Sequence, residues 1–139
     1  METVIKNSFI EIKWNKSSAF METTWTTTPL MSQKKYRELL ALYIQQIEEY
    51  QPDKLIVDSR EAAYVIEPED QDWLNENIYP RTVKAGVKKL AFVVGTDVFM
   101  QISLEQVSTD SHNNADVASK LKQEFFDDYQ QASDWVMAS

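Results

Sequence analysis

The sequence predicts one α/β domain over residues 1–139, in which a mixed, mostly parallel sheet of four or five strands carries helices on its faces. Two observations predict this class. Strand-like and helix-like segments alternate along the chain in the order β-β-α-β-α-β-α-(β)-α. Two apolar segments, Leu55–Val57 and Lys88–Val94, are also separated by about 30 residues that contain a helical pattern, which is the spacing of a β-α-β unit.

The first two predicted strands form an N-terminal β-hairpin. Phe9–Trp14 alternates apolar with charged residues, as a strand with one buried face does. Asn15–Ser18 is typical of a turn. Ala19–Thr26 is rich in threonine and aromatic residues, which favour the returning strand.

The clearest helix follows the hairpin. Ser32 can cap its first turn with a hydroxyl oxygen, and Pro52 prevents it from continuing. Its apolar residues recur at intervals of three and four, which predicts one buried stripe. This stripe consists of Tyr36, Leu39, Leu40, Tyr43, Ile44, Ile47 and Tyr50.

The next segment contains the first strand of the β-α-β unit. Leu55–Val57 is apolar on consecutive positions, which is typical of a strand covered on both faces, and it ends at Asp58. Pro68 suits the first position of a helix, and Pro80 should interrupt that helix. Gly86 can close it in a left-handed conformation.

The rest of the chain predicts one more β-α unit and a C-terminal helix. In that helix Tyr129, Ala132 and Val136 share one face, with Trp135 beside them. Asp97 can cap the helix that begins at Val98. The segments are a strand over Lys88–Val94, a helix over Val98–Val107, a polar loop over Ser108–Asn114, a stretch over Ala115–Phe126 typical of a helix, a strand or both, and a final helix from Asp127 or Asp128.

The composition excludes several functions. The chain has no cysteine, so disulfides, thiol catalysis and sulfur-ligated metals are absent. A net charge of −8 argues against nucleic acid as a partner, because phosphate binding needs a basic surface. The two glycines, Gly86 and Gly95, do not form a phosphate-binding loop or a dinucleotide motif, and we expect no cofactor.

A metal site is not expected either. The single histidine, His112, lies in the oxygen-rich segment Asp110–Asp116. This segment lacks the central glycine and terminal glutamate of a calcium loop. Zinc needs three or four protein ligands, and His112 alone offers nitrogen.

The chain also lacks the sequence marks of membrane insertion. No apolar segment approaches the roughly 20 residues that span a bilayer. The N-terminal residues lack the basic and apolar regions of a signal peptide. We therefore expect a soluble, cytoplasmic protein.

The carboxyl ends of the central strands are the expected place for a site, because ligands bind there in open α/β sheets. Asp58, Ser59 and Arg60 follow the first strand, where the favoured role is to fix the loop by hydrogen bonds, with Arg60 paired to Asp58 or to a neighbouring carboxylate. Aromatic and apolar side chains nearby could line a cleft between the helices that begin at Pro68 and Val98. The candidate ligand-binding residues are Asp58, Ser59, Arg60, Trp73, Tyr79, Phe99 and Met100, and no residue is assigned as catalytic.

Four acidic residues surround the start of the helix at Pro68, and paired catalytic carboxylates are one interpretation of them. They point in different directions around one turn, where the positive end of the helix dipole favours their charged forms. The better interpretation is a solvated helix start. The four residues are Glu67, Glu69, Asp70 and Asp72.

Several segments together resemble the SpoIIAA-like proteins, small domains that share the fold of STAS modules. The order and spacing of the segments carry the resemblance, which extends over nearly the whole chain. The segments are KLIVDSR, EPEDQDW, YPRTVKAGVKKLAFVV, TDVFMQ and FFDDYQQASDW.

The resemblance implies a non-enzymatic regulatory or ligand-binding module. SpoIIAA-like folds are similar to the lipid-binding CRAL-TRIO domains, which implies a small apolar or amphipathic ligand or peripheral contact with a membrane. In the anti-sigma-factor antagonists of the STAS type, a serine at the start of the second helix is phosphorylated. Here that region is Val65–Glu69, which has no hydroxyl group, so the phosphorylation switch is not expected.

Two other functions are compatible with the sequence. One is a small hydrolase or transferase that uses Asp58, Arg60 and His112, provided that the fold brings His112 within hydrogen-bonding reach of Asp58 or Ser59. The other is a structural homo-oligomer, or a partner of another protein, with no small ligand.

Overall fold

The computed structural model describes residues 1–138, apart from the side chains of residues 98–100. It contains an α/β fold with one six-stranded sheet, so the expected class is confirmed and the expected number of four or five strands is too low. The strands are β1 (Glu2–Lys6), β2 (Ile10–Asn15), β3 (Phe20–Trp25), β4 (Lys54–Asp58), β5 (Lys89–Val93) and β6 (Lys122–Phe126). The helices are α1 (Gln33–Tyr50), α2 (Pro68–Asn77), α3 (Tyr79–Lys84), α4 (Val98–Ser111), α5 (Ala115–Lys120) and α6 (Tyr129–Met137).

The additional strand is β1, at the edge of the sheet. It pairs antiparallel with β2, and its register shifts between Thr3 and Ile5. Three of its five residues are exposed and two are partly buried. Because an edge strand of this kind has no fully buried face, its sequence lacks the alternation that marks β2.

The strands follow one another in the sheet in chain order, and this order decides where the helices pack. β1, β2 and β3 are antiparallel neighbours, whereas β3, β4, β5 and β6 are parallel. Parallel connections are right-handed. Three successive right-handed connections in the same direction place α1, α2 with α3, and α4 with α5 on one face of the sheet.

Two clusters of buried side chains confirm this arrangement. The larger cluster joins the sheet to α1–α5 and includes Ile44, Leu55 and Val107. The smaller cluster lies on the opposite face, where Ala132 and Val136 of α6 pack on β3, β4 and β5. The protein therefore has three layers, but one helical layer is a single short helix.

Most predicted element boundaries agree with the structure. The Ser32 hydroxyl caps α1, and its oxygen lies 3.1 Å from the backbone nitrogen of Lys35. Pro80 lies at the second position of the separate helix α3, and Gly86 has the expected left-handed conformation with φ of 101°. Residues 115–126 form both α5 and β6, and Asp128 caps α6.

The predicted polar loop over Ser108–Asn114 is wrong in its first half, because α4 continues to Ser111. Its serines are buried, and their polarity is satisfied locally. The Ser111 hydroxyl donates to the Ser108 carbonyl at 2.5 Å and accepts from the Gln123 amide at 2.9 Å. Buried serines with such partners belong to a helix as readily as apolar residues do.

The solvated helix start is also wrong for one of its four acidic residues. Asp70 is 1% exposed and accepts hydrogen bonds from the Tyr64 hydroxyl at 2.8 Å and the backbone nitrogen of Glu67 at 3.1 Å. The Arg37 guanidinium on α1 lies 3.3 Å from its other oxygen. The carboxylate of Asp70 thus joins α1, the loop before α2 and the first turn of α2.

We expect Asp70→Ala to lower the free energy of unfolding by about 2 to 3 kcal/mol, because it leaves a partly buried guanidinium and a tyrosine hydroxyl without their partner. Asp72→Ala, at an exposed position of the same helix, is the matched control and should change it by less than about 0.5 kcal/mol. Urea unfolding measures both. Equal effects of the two substitutions would mean that the Asp70 network does not stabilise the fold.

Candidate functional site

The candidate site is an apolar cavity between the sheet and the helices α1–α4. Its volume is about 80 Å³. Its floor is formed by β3, β4 and β5, and its walls by the helices and by the loop between β4 and α2. The described residues that line it are Trp25, Thr27, Tyr36, Leu40, Tyr43, Val57, Ser59, Ala62, Tyr64, Ile66, Leu74, Ile78, Tyr79, Thr82, Leu90, Phe92, Leu104 and Val107.

We place the opening of the cavity between the β4–α2 loop and α4, because its lining residues are partly exposed there. Ala62 on the loop and Leu104 on α4 are partly exposed, whereas the other described lining residues are buried. Both lie on the side of the sheet where the carboxyl ends of β4 and β5 meet. The opening is therefore at the edge that the β-α-β pattern predicts for a site.

Three contacts hold the β4–α2 loop over the cavity. The backbone nitrogen of Ser59 donates to the Val93 carbonyl at 2.8 Å. The Thr27 hydroxyl oxygen accepts from the backbone nitrogens of Ala63 and Tyr64, each at 3.2 Å. Because these bonds tie the loop to the ends of β5 and β3, its position is fixed by the sheet.

Gly95 also allows the loop to approach the sheet. A β-carbon at position 95 would lie 3.0 Å from the carbonyl oxygen of Arg60, which is closer than ordinary contacts between such atoms. The loop and the turn after β5 are therefore in contact through backbone atoms alone.

Aromatic rings line the cavity around α1. Tyr36 and Tyr43 lie two turns apart on this helix, and Trp25 packs against both. The centroid of the Trp25 ring lies 6.3 Å from that of Tyr36 and 5.5 Å from that of Tyr43. Tyr64 stacks on Tyr36 at 4.1 Å. This packing fixes the ring of each tyrosine, so their hydroxyl groups have defined positions.

Most polar side chains in the cavity wall have a hydrogen-bonding partner. The Tyr64 hydroxyl donates to Asp70, and the Tyr79 hydroxyl donates to Gln123 at 2.8 Å. The Thr82 hydroxyl donates to the Ile78 carbonyl at 2.8 Å. The Trp25 indole donates to Thr23 at 3.1 Å.

Three lining hydroxyl groups are different. Tyr36, Tyr43 and Ser59 are 7%, 5% and 5% exposed, and no hydrogen bond joins their side chains to another described residue. Their oxygens are not among the described side-chain atoms that are both fully buried and without a partner, so each retains surface that a water molecule or a ligand can reach. They are the polar part of a largely apolar cavity.

Burial keeps the lining tyrosines protonated. It raises the pKa of Tyr36, Tyr43 and Tyr79 well above the ordinary value, because a phenolate in this apolar environment would lose its hydration. The negative charge of Asp70 raises the pKa of Tyr36 further. These hydroxyl groups therefore remain hydrogen-bond donors throughout the neutral pH range.

The seven candidate ligand-binding residues do not all lie at the cavity. Ser59 and Tyr79 line the cavity. Trp73 lies outside it, where its ring contacts the Arg37 guanidinium at 5.0 Å. The side chains of Phe99 and Met100 lie outside the described residues.

Asp58 and Arg60 lie on the opposite face of the sheet from the cavity. Arg60 binds both oxygens of Asp58, at 3.0 and 2.7 Å, which confirms the predicted pair. The guanidinium also lies 6.0 Å from the ring of Tyr129 on α6. Alternation along β4 explains the separation: Val57 faces the cavity and Asp58 faces α6.

His112 is not brought to either group. Its Nδ1 atom lies 2.9 Å from the Ser108 carbonyl, beyond the C-terminal end of α4. Asp58 and Ser59 lie near the other end of this helix, whose 14 residues span about 21 Å. The described residues therefore contain no arrangement of Asp58, Arg60 and His112 around one reacting atom.

Sequence reasoning missed Tyr36 and Tyr43 as functional residues, since it placed them in the buried stripe of α1. The stripe is correct, but its tyrosines have hydroxyl groups that the packed core leaves without partners. A tyrosine in place of leucine or phenylalanine at the centre of an apolar stripe was the available signal.

The fold and this site define an α/β protein with a small, largely apolar cavity between its sheet and the helices α1–α4. No group of three or more histidine or acidic side chains in residues 1–138 is arranged to hold a metal ion. No helix in that range is long and apolar enough to cross a bilayer. Searches against protein-family models, curated proteins and solved structures found no match.

The raised tyrosine pKa values predict that stability falls above pH 10. The folded state binds these protons more tightly than the unfolded chain does, so the stabilisation is fully present below the unfolded pKa near 10 and is lost as pH rises through the folded pKa. Between pH 10 and 11, the free energy of unfolding should fall by about 1 kcal/mol more in the wild type than in Tyr43→Phe, which has no proton to lose at this position. Urea unfolding at pH 8 to 11 measures the difference, and parallel pH profiles for the variant and the wild type would contradict it.

Proposed function

We propose that this protein is a non-enzymatic, SpoIIAA-like module of the STAS-like type that binds a small apolar or amphipathic ligand in the cavity beneath its β4–α2 loop. The observation that carries this proposal is the cavity itself. It is enclosed by aromatic and aliphatic side chains, contains a few defined polar groups and opens at one place, as small-molecule sites do.

The size of the cavity favours a small ligand over a complete lipid chain. Its volume of about 80 Å³ is roughly half that of a cavity known to hold benzene. A molecule of that size would fill the cavity and extend into the opening between Ala62 and Leu104. A long acyl chain could insert only its end.

The chemistry of the lining residues supports binding over catalysis. The described lining residues include no histidine, carboxylate, lysine or cysteine. General acid–base or nucleophilic catalysis most often uses such a group, and burial holds the lining tyrosines in their neutral form. The Ser59 hydroxyl lies in the cavity, but its neighbour Asp58 faces the other side of the sheet and cannot activate it from there.

The order of segments that resembles the SpoIIAA-like proteins supports assignment to that class. The region that corresponds to the phosphorylated turn of STAS antagonists, Val65–Glu69, contains no hydroxyl group. We therefore assign regulation, if this module has it, to occupancy of the cavity and not to phosphorylation at that turn.

The binding test uses methylcyclopentane as an apolar probe and follows the methyl signals of Leu40, Leu90 and Leu104 by NMR. We expect saturable shifts in the wild-type protein. Ala62→Leu, which places a larger side chain at the opening, should weaken binding at least fivefold. If the Ala62→Leu variant binds the probe as well as the wild type does, the probe binds elsewhere.

The matched control is Ala63→Leu. Ala63 is also partly buried and follows Ala62 in the same loop, but it does not line the cavity. This variant should bind methylcyclopentane within twofold of the wild type. Native mass spectrometry of the purified protein is an independent measurement, and a co-purifying small molecule lost in the Ala62→Leu variant alone would identify the natural ligand.

A further inference from the structure

We infer that the ligand is an uncharged molecule with an apolar body and a hydrogen-bond acceptor, such as a carbonyl oxygen, which the hydroxyl groups of Tyr36 and Tyr43 bind. This inference rests on the proposed function and specifies the chemistry of the ligand. The three hydroxyl groups without partners and the absence of charge from the described cavity wall carry it.

The hydroxyl groups of these two tyrosines differ from most polar groups of the cavity wall because they have no hydrogen-bonding partner among the described residues. In the described wall, the side chains of Trp25, Thr27, Tyr64, Tyr79 and Thr82 already have partners. The Tyr36, Tyr43 and Ser59 hydroxyls have none among the described residues. A hydroxyl group without a partner in a largely apolar cavity favours a ligand that supplies a hydrogen-bond acceptor.

The positions of Tyr36 and Tyr43 favour joint recognition. They are seven residues apart on α1 and therefore lie on the same face, two turns from each other. Trp25 packs against both rings, and its indole hydrogen is already donated to Thr23. Both residues line the same cavity, and the residue between them brings no competing donor.

The charges around the cavity argue against an anionic ligand such as a fatty acid. A cation described beside the wall is Arg37, whose terminal nitrogen is paired with Asp70 and whose guanidinium lies on Trp73, while its Nε atom is buried without a partner. The Asp70 carboxylate is close enough to Tyr36 to raise its pKa. A carboxylate in the cavity would lose its hydration, compete with Asp70 for the Arg37 guanidinium and face the negative charge of Asp70.

The test compares three probes of similar shape by NMR of the same leucine methyl groups: cyclopentanone, methylcyclopentane and cyclopentanecarboxylate at pH 7. Tyr36→Phe and Tyr43→Phe remove only the hydroxyl groups. Each should weaken cyclopentanone binding about fivefold, the factor that one net hydrogen bond supplies, and leave methylcyclopentane binding unchanged or tighter. Cyclopentanecarboxylate should not shift these signals at the concentration at which cyclopentanone does.

Tyr50→Phe is the matched control, because Tyr50 lies on the same helix but packs on Trp14 outside the cavity. It should leave the binding of all three probes unchanged. Thermal unfolding of each variant should remain a single transition, since no folded-state hydrogen bond of Tyr36 or Tyr43 is lost.

The outcomes separate this inference from the proposed function. If methylcyclopentane binds but the tyrosine variants affect both neutral probes equally, the cavity binds apolar molecules and the acceptor inference is wrong. Tighter binding of the carboxylate than of the ketone would also overturn it. If no probe shifts the cavity signals at saturation, the proposed function fails and the inference falls with it.

Discussion

The order of the strands is the constraint on which the rest of this structure depends. Because β3, β4, β5 and β6 are parallel and adjacent in chain order, each right-handed connection places its helices on the same face. Five helices therefore pack on one side of the sheet, and α6 alone covers part of the other. The crowded side contains the cavity, which lies between these helices and the sheet.

The cavity also depends on how the β4–α2 loop is held. Backbone hydrogen bonds from Ser59 and Ala63 fix the loop to β5 and to the end of β3, and the Asp70 carboxylate joins it to α1 and α2. This network supplies a rigid roof from polar contacts, while the interior remains apolar. Tyr64 links the two systems, because its ring stacks on Tyr36 and its hydroxyl binds Asp70.

The two faces of β4 separate two kinds of chemistry. Asp58 and Arg60 form a bidentate pair beside Tyr129 on the α6 face, whereas Ser59 lies in the cavity on the other face. The pair satisfies its own charge and stabilises the end of the strand. The hydroxyl groups of Tyr36, Tyr43 and Ser59 have no partner among the described residues, so that side of the sheet retains hydrogen-bonding capacity for a ligand.

Local patterns in the sequence were sufficient to predict features that depend on neighbouring residues. These are the class of fold, the helix α1 with its capping serine, the break at Pro80, the left-handed Gly86 and the pairing of Arg60 with a carboxylate. Local patterns were not sufficient for β1, whose edge position removes alternation, or for the end of α4, where the Ser111 hydroxyl binds the Ser108 carbonyl and the Gln123 amide. Asp70 was expected in solvent, and only the approach of Arg37 and Tyr64 explains its burial. The cavity is likewise decided by tertiary packing. Its tyrosines were predicted as core residues. Only the packing of α1, α2 and α4 on the sheet determined which of their hydroxyl groups would lack partners.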